Sequence, residues 1–327
     1  MAKVKCKQHN SGIGGQAVLE GVMMRRGDDY AVAIRKPDKT VTVSKETYHG
    51  ILEGSILKKT PFVRGVFVFL DSLILGMRIT SYSASFYEEE EEDTKKDQTP
   101  EQAARSEKMD KIMEGAVTAV AFVIAIGLFF VLPYLISALL SRFIHHPFLT
   151  AVIEGLLRIG IFMGYILAIS MMEDIRRLFQ YHGAEHKCIN CLEHGLPLNV
   201  ENVRGSTRFH KRCGTSFIIF VMLVSIVLFF FIRVDHPMLR ILLRILLIPV
   251  ISGISFELIR LAGSSDNPVI SLLSKPGIWF QNLTTREPDD DMIRVGIASV
   301  EAVFDWRDYL RREFGAQTEA PEEARTA

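Results

Sequence analysis

Four apolar runs set the limits on what this 327-residue chain can become. They extend roughly over Gly115–Leu140, Ala151–Met172, Ser216–Val234 and Met238–Ile259. A helix crosses a bilayer with about 20 predominantly apolar residues, and each run has the length or close to it. From Phe217 to Ile232 a single serine is the only polar residue. Soluble helices keep a polar outer face, so a run of this continuity belongs in lipid. The runs predict an α-helical polytopic membrane protein with about four transmembrane helices, whose first partner is the lipid bilayer.

Charge placement orients the spans. The N-terminal segment is polar and has no apolar core of a signal peptide behind it, which leaves the residues before the first span in the cytoplasm. Lys/Arg counts agree: the loop Glu173–Thr215 carries seven, and the short loops Ser141–Thr150 and Arg233–Pro237 carry one each. Both termini and the 173–215 loop are therefore expected on the cytoplasmic side of the inner membrane. The formal charge is zero and no basic stripe interleaved with aromatics occurs, so nucleic acid is not an expected partner. Four cysteines in a reducing compartment read as ligands or free thiols rather than disulfides.

The rest of the chain divides by pattern. Residues 1–60 read as a small cytoplasmic α+β portion. It combines a glycine-rich segment, a tight turn feeding a strand, with a β-hairpin: Tyr30–Arg35 and Thr40–Ser44 alternate with period two around a Pro-Asp turn. No Gly-Lys-Ser/Thr follows the glycines, so a phosphate loop is not supported. Residues 61–87 read as a helix lying in the membrane interface or docked on the bundle. Arg64, Asp71 and Arg78 recur every seven residues along one face of it; a fifth span is the competing reading. Residues 88–111 form a charged linker, 112–262 the four-helix region, 263–316 a cytoplasmic C-terminal segment with an amphipathic helix, and 317–327 a disordered tail. The acids Asp289–Asp291 are read first as the start of that amphipathic helix, with metal ligation as an alternative.

Chemistry concentrates in the 173–215 loop. His182-Gly-Ala-Glu-His186 puts two imidazoles one helical turn apart with Glu185 beside them, and His210-Lys-Arg-Cys213 adds an imidazole and a thiol. Nitrogen and sulfur donors of this kind suit a divalent transition metal, zinc above all. Three readings stay open. These residues are ordinary polar groups of a cytosolic loop; or Cys188, Cys191, His210 and Cys213 form a closed structural zinc knuckle; or His182 and His186, with His210 or Cys213, hold a catalytic ion, and Glu185 is the general base as in inverted zincins. Inverted zincins take a distant glutamate as third ligand. Glu257 is the candidate, although Arg260 one turn away offers a plain ion pair. Glu154, Arg158, Arg240 and Arg244 fall at one depth of the second and fourth spans, where mutual pairing or snorkelling suffices.

Four motifs in order resemble the YqhQ-like family of bacterial membrane proteins: Gly14-Gly-Gln-Ala-Val-Leu-Glu-Gly-Val-Met-Met-Arg25, Tyr181-His-Gly-Ala-Glu-His-Lys187, Arg212-Cys-Gly-Thr-Ser-Phe217 and Leu283-Thr-Thr-Arg-Glu-Pro-Asp-Asp-Asp291. The resemblance covers roughly residues 10–305. It implies a polytopic membrane protein, a predicted metal-dependent enzyme, with no established reaction. Its motif centres on the positions of His182, Glu185, His186, His210 and Cys213, and Cys188 is not part of it. Lys211 stands where the family often has proline, which puts the turn around His210 in doubt. The expected site is therefore a divalent ion on His182, His186, His210 and Cys213 with Glu185 as base. The expected function is a membrane hydrolase using metal-activated water. The alternative is a non-catalytic scaffold, transport or protein-biogenesis factor with a structural metal.

Overall fold

The computed structural model describes residues 9–51, 53–92, 109, 112–113, 115–117, 119–121, 123–125, 127–140, 142–144, 146–231, 234, 237–264 and 267–315. Strands β1 (Ile13–Val18), β2 (Gly21–Arg26), β3 (Asp29–Arg35) and β4 (Val41–Thr47) come first. Helices follow: α1 (Val63–Glu92), a short apolar α2 (Gly115–Phe129), α3 (Leu132–Leu140), α4 (Pro147–Ile169), α5 (Glu173–Glu193) and α6 (Val200–Gly205). Then come α7 (Gly214–Phe231), α8 (Pro237–Leu246), α9 (Ile248–Ser264), α10 (Pro268–Thr284), α11 (Asp290–Val303) and α12 (Trp306–Phe314). The disordered tail expected at 317–327 and most of the linker at 88–111 lie outside the described residues.

Two units divide the chain: residues 1–86, 170–220 and 252–327, and residues 87–169 and 221–251. The first is built on the sheet, an antiparallel meander in the order β1-β2-β3-β4. The hairpin expected at Tyr30–Ser44 forms, with Tyr30 opposite Glu46 and Ile34 opposite Thr42. The glycine-rich segment is a hairpin in its own right, β1 and β2, closed through Leu19 and Glu20. Gly21 belongs there because a Cβ would sit 2.5 Å from the Ala33 carbonyl oxygen. Strands β2 and β3 are buried on both faces. Val22, Met24 and Ala33 join the core made with α5 and α11, while Met23, Tyr30, Val32 and Ile34 pack with Leu75 and Ile79 of α1. That double burial explains why β3 reads as an almost unbroken apolar run, Tyr30 to Ile34.

Helix α1 packs on the sheet by its apolar stripe, and the charges spaced by seven anchor it. Arg64 grips Glu257 of α9, Asp71 accepts from the Ile51 amide at 2.9 Å, and Arg78 pairs with Glu46 at 2.8 Å. Gly65 lets the helix close on α9, since a Cβ there would lie 2.7 Å from Phe256 Cβ.

Apolar helices make up the second unit, and two of them, α7 and α9, also contribute residues to the first. Phe148–Ile169, Gly214–Phe231 and Leu242–Gly263 are each long and apolar enough to cross a membrane, making three such helices among the described residues where the sequence predicted four. The difference falls on the first run, where only the shorter apolar helix Gly115–Phe129 is described and where Pro133 and a π-helical turn at Gly127–Val131 interrupt regular winding. Glu154 accepts from Arg158 at 3.2 Å and from Arg244 at 2.9 Å, and both guanidiniums lie over the Phe229 ring. The pairing expected of these charges is present; the Arg240 side chain lies outside the described residues.

Candidate metal centre

Helix α5 carries the site, and its character is unusual. From Tyr181 to Glu193 it is buried almost throughout, yet its sequence is polar, with Glu185, His186, Lys187, Asn190 and Glu193 all inside. A helix with buried polar groups must satisfy each of them. Lys187 donates to the Arg204 carbonyl at 2.9 Å and pairs with Glu287 at 2.8 Å, and Asn190 donates to the carbonyls of Thr207 and Phe209.

The two histidines of the motif stack on one face of α5, ring centres 4.4 Å apart. Nδ1 of His182 lies 2.8 Å from the Thr284 carbonyl oxygen, and Nδ1 of His186 lies 2.6 Å from that of Arg208. A carbonyl accepts only, so both imidazoles carry a proton on Nδ1, and each Nε2 is left to face Cys213 or a ligand that takes the place of a proton there. His182 Nε2 is 3.1 Å from Cys213 Sγ, and ligand atoms of His182, His186 and Cys213 all lie within 4.8 Å of one another. His186 Nε2 is buried with no hydrogen-bond partner among the described residues. An orphaned buried acceptor beside a thiol and a second imidazole fits a metal ion that three protein ligands would hold.

The electrostatics suit ligation. Burial alone would raise the Cys213 thiol, but the imidazoles of His182 and His186 draw it well below its ordinary value, toward the thiolate that a metal requires. Burial likewise opposes protonation of His182, and the Cys213 charge overrides it, raising that imidazole to about 9. Glu185 is 5% exposed, and burial pushes its carboxyl upward against the pull of His186 and His182. It makes no hydrogen bond or ion pair among the described residues. Gly15 of β1 walls it in: a Cβ there would lie 2.7 Å from Glu185 Cγ.

His210, the fourth expected ligand, sits beside the cluster rather than in it. Its ring centre is 5.7 Å from that of His186, and its Nε2 faces Glu193 at 3.6 Å. Glu193 is fully buried and also takes Arg212, the Ser11 hydroxyl and the Ser11 amide. Burial would raise its carboxyl, yet His210 and Arg212 pull it down to about 2. The zinc-knuckle set is not assembled. Cys188 is buried against Gly296 of α11, and the Cys191 thiol points to the carbonyls of Leu196 and Pro197. Glu257 is committed to Arg64, a partner 193 residues away that outweighs the neighbouring Arg260 at 3.8 Å. Asp289 caps α11 by accepting from the Met292 amide, Asp290 pairs with Arg204 and Asp291 with Arg35. The alternative of metal ligation by these acids therefore finds no support. A second grouping, Asp28, His49 and Glu53, is largely exposed, and His49 pairs with Glu53 at 2.7 Å.

Sequence reasoning did not find the groups that aim the imidazoles. Thr284 and Arg208 act through backbone carbonyls, which leave no side-chain signature. The one available signal was the Leu283–Asp291 motif, whose Arg286 amide bonds the Phe179 carbonyl at 2.8 Å and so lays the segment along α5.

This is the architecture of a mostly helical chain with, among the described residues, three membrane-length apolar helices, a small four-stranded sheet and a His-His-Cys cluster at the foot of α7. The chain belongs to the YqhQ-like family, the one described as "Protein of unknown function (DUF1385)", whose model matches residues 60–306. It is 37% identical over 289 residues to "Uncharacterized protein YqhQ" of Bacillus subtilis (strain 168), covering 88% of this chain and 90% of that one. No solved structure matches it.

Proposed function

We propose that this chain is a hydrolase of the cytoplasmic membrane, working at its cytoplasmic face with a divalent ion on His182, His186 and Cys213. The observation that carries the reading is the anchoring of both Nδ1 atoms on carbonyls, at 2.8 and 2.6 Å, which commits both Nε2 atoms to a ligand beside Cys213 Sγ. Two imidazoles and a thiolate favour zinc over magnesium or calcium, and three protein ligands leave a tetrahedral ion one position short, the pattern of catalytic sites. A divalent ion held there would supply Lewis acidity, enough to bring the pKa of water to about 7. Glu185 takes the proton from the attacking water and returns it to the leaving group. The walls around its carboxylate keep bulk water from competing for that proton.

The test combines elemental analysis of the purified chain with complementation of a deletion strain. His182→Ala, His186→Ala and Cys213→Ala should each lose the ion, while Cys188→Ala and Cys191→Ala keep it. Glu185→Gln keeps shape and metal but cannot accept a proton, and should lower activity by about 10²–10⁴-fold. Full complementation by Glu185→Gln with normal metal content would replace the hydrolase with a scaffold, transport or biogenesis factor whose ion is structural.

A second reading rests on the 3.1 Å approach of His182 Nε2 to Cys213 Sγ. That is the contact of a thiolate nucleophile with its imidazole partner. Full activity of metal-stripped protein, abolished by alkylating Cys213, would favour it.

A further inference from the structure

Helix α10 is amphipathic in the wrong sense for water. Its exposed side carries Val269, Leu272, Leu273 and Trp279, with relative exposures of 64, 60, 53 and 61%. Its buried residues include Ser274, Gln281 and Thr284, each 3% exposed or less, with Phe280 the one large apolar side chain turned inward, at 1%. With 3.6 residues per turn, the four exposed apolar side chains fall within roughly one third of the helix circumference. Exposed Lys275 borders that stripe, and exposed Pro276 lies within it.

Most of the inward polar groups are engaged: Ser274 Oγ donates to the Ile270 carbonyl at 2.9 Å, whereas the Thr284 hydroxyl has no hydrogen-bond partner among the described residues. Gln281 Nε2 donates to the His210 carbonyl and to Ser216 Oγ, Gln281 Oε1 accepts from the His210 amide, and the Thr284 carbonyl receives His182 Nδ1. The metal centre thus dictates which way α10 faces, and the apolar stripe is what remains outside. We infer that this stripe lies in the boundary between lipid head groups and acyl chains, seating the His182–His186–Cys213 cluster at head-group depth. The inference rests on the membrane reading above.

Lipid is the occupant that the surroundings name. The apolar run Leu242–Gly263 ends shortly before α10 begins, so chain connectivity keeps the stripe near a segment already suited to lipid. A tryptophan on the apolar face and a lysine at its border are the side chains that settle at this boundary, the lysine by snorkelling. Seventeen residues with a lysine near the middle lie on a bilayer rather than span it.

Trp279 reports the answer directly. The other tryptophan, Trp306, is buried and donates to Glu301, so full-length Trp306→Phe in phosphatidylcholine nanodiscs leaves Trp279 as the fluorophore. A nitroxide near the top of the acyl chain should quench it more than one near the methyl end, and acrylamide should quench it less than after unfolding. If Trp306→Phe does not fold, wild type minus Trp279→Phe gives the same signal. Free access to acrylamide, indifference to both nitroxides because a second copy covers the face, or stronger quenching by the deep label would each overturn the inference. Carbonate extraction separates the two readings. A chain that stays in the membrane with Trp279 in water loses this inference alone, whereas a chain released by carbonate loses the membrane reading too.

Discussion

Gly183 fixes how closely the Leu283–Asp291 motif approaches α5. A Cβ at that position would overlap the Arg286 carbonyl oxygen, with Pro288 Cδ at 3.4 Å, and the segment is already tied down by the bond from the Arg286 amide to Phe179. Backbone cannot swing aside as a flexible side chain does. Gly183→Ala should therefore cost about 1–3 kcal/mol. It should also pull the Thr284 carbonyl away from His182, so melting temperature and metal per chain fall together. A variant that melts normally and keeps its metal would show that the motif is free to shift. Gly15 is placed by the same logic: a Cβ there would lie 2.7 Å from both the Met23 carbonyl oxygen and Glu185 Cγ, so a methyl disturbs the β1–β2 pairing as well as the Glu185 side chain.

At the scale of elements, the three layers of the first unit depend on a sheet buried from both sides. Tyr30 marks where polar and apolar demands meet: its ring is 2% exposed in the core under α1, and its hydroxyl donates to Glu46 at 2.6 Å. Burial first, and the bond to Glu46 second, raise this phenol from 10.0 to about 12. A raised folded value means the unfolded chain ionises first. The contribution is whole below pH 10 and is lost as pH rises through about 12. Melting curves between those limits should show wild type losing stability more steeply than Tyr30→Phe, which has no phenol to ionise. Parallel curves for the two proteins would remove Tyr30 as the cause.

For the whole molecule, the spans and their orientation are open to direct chemistry. The positive-inside bias predicts that a cysteine at His146 reacts with an impermeant maleimide on intact cells, and that one at Ser206 reacts only after permeabilisation. Strong outside labelling at Ser206 would reverse the topology and take with it the reducing compartment assumed for Cys213. Cys6 is first replaced by serine, and the three buried cysteines, Cys188, Cys191 and Cys213, then give little background.

The apolar runs, the period-two hairpin and the helical His182–Glu185–His186 spacing were legible in the sequence because each is a local property, settled within a few residues by backbone geometry and side-chain type. The same holds for Asp289 as an N-cap. Other assignments needed the folded chain. Whether Glu257 meets Arg64 or a metal, whether Cys188 is ligand or core, and whether His210 turns to His186 or to Glu193 depend on segments far apart in sequence. No local pattern encodes those distances. The glycine-rich hairpin shows the boundary well: its turn was readable, but the need for Gly15 was not, since one of the two groups it makes room for, Glu185, is on α5. The sequence by itself determined which residues are available for chemistry and which segments are apolar. Tertiary structure decided which of them meet, because a ligand set is an agreement in space among carbonyls, rings and a thiol drawn from α5, α10 and the segment before α7.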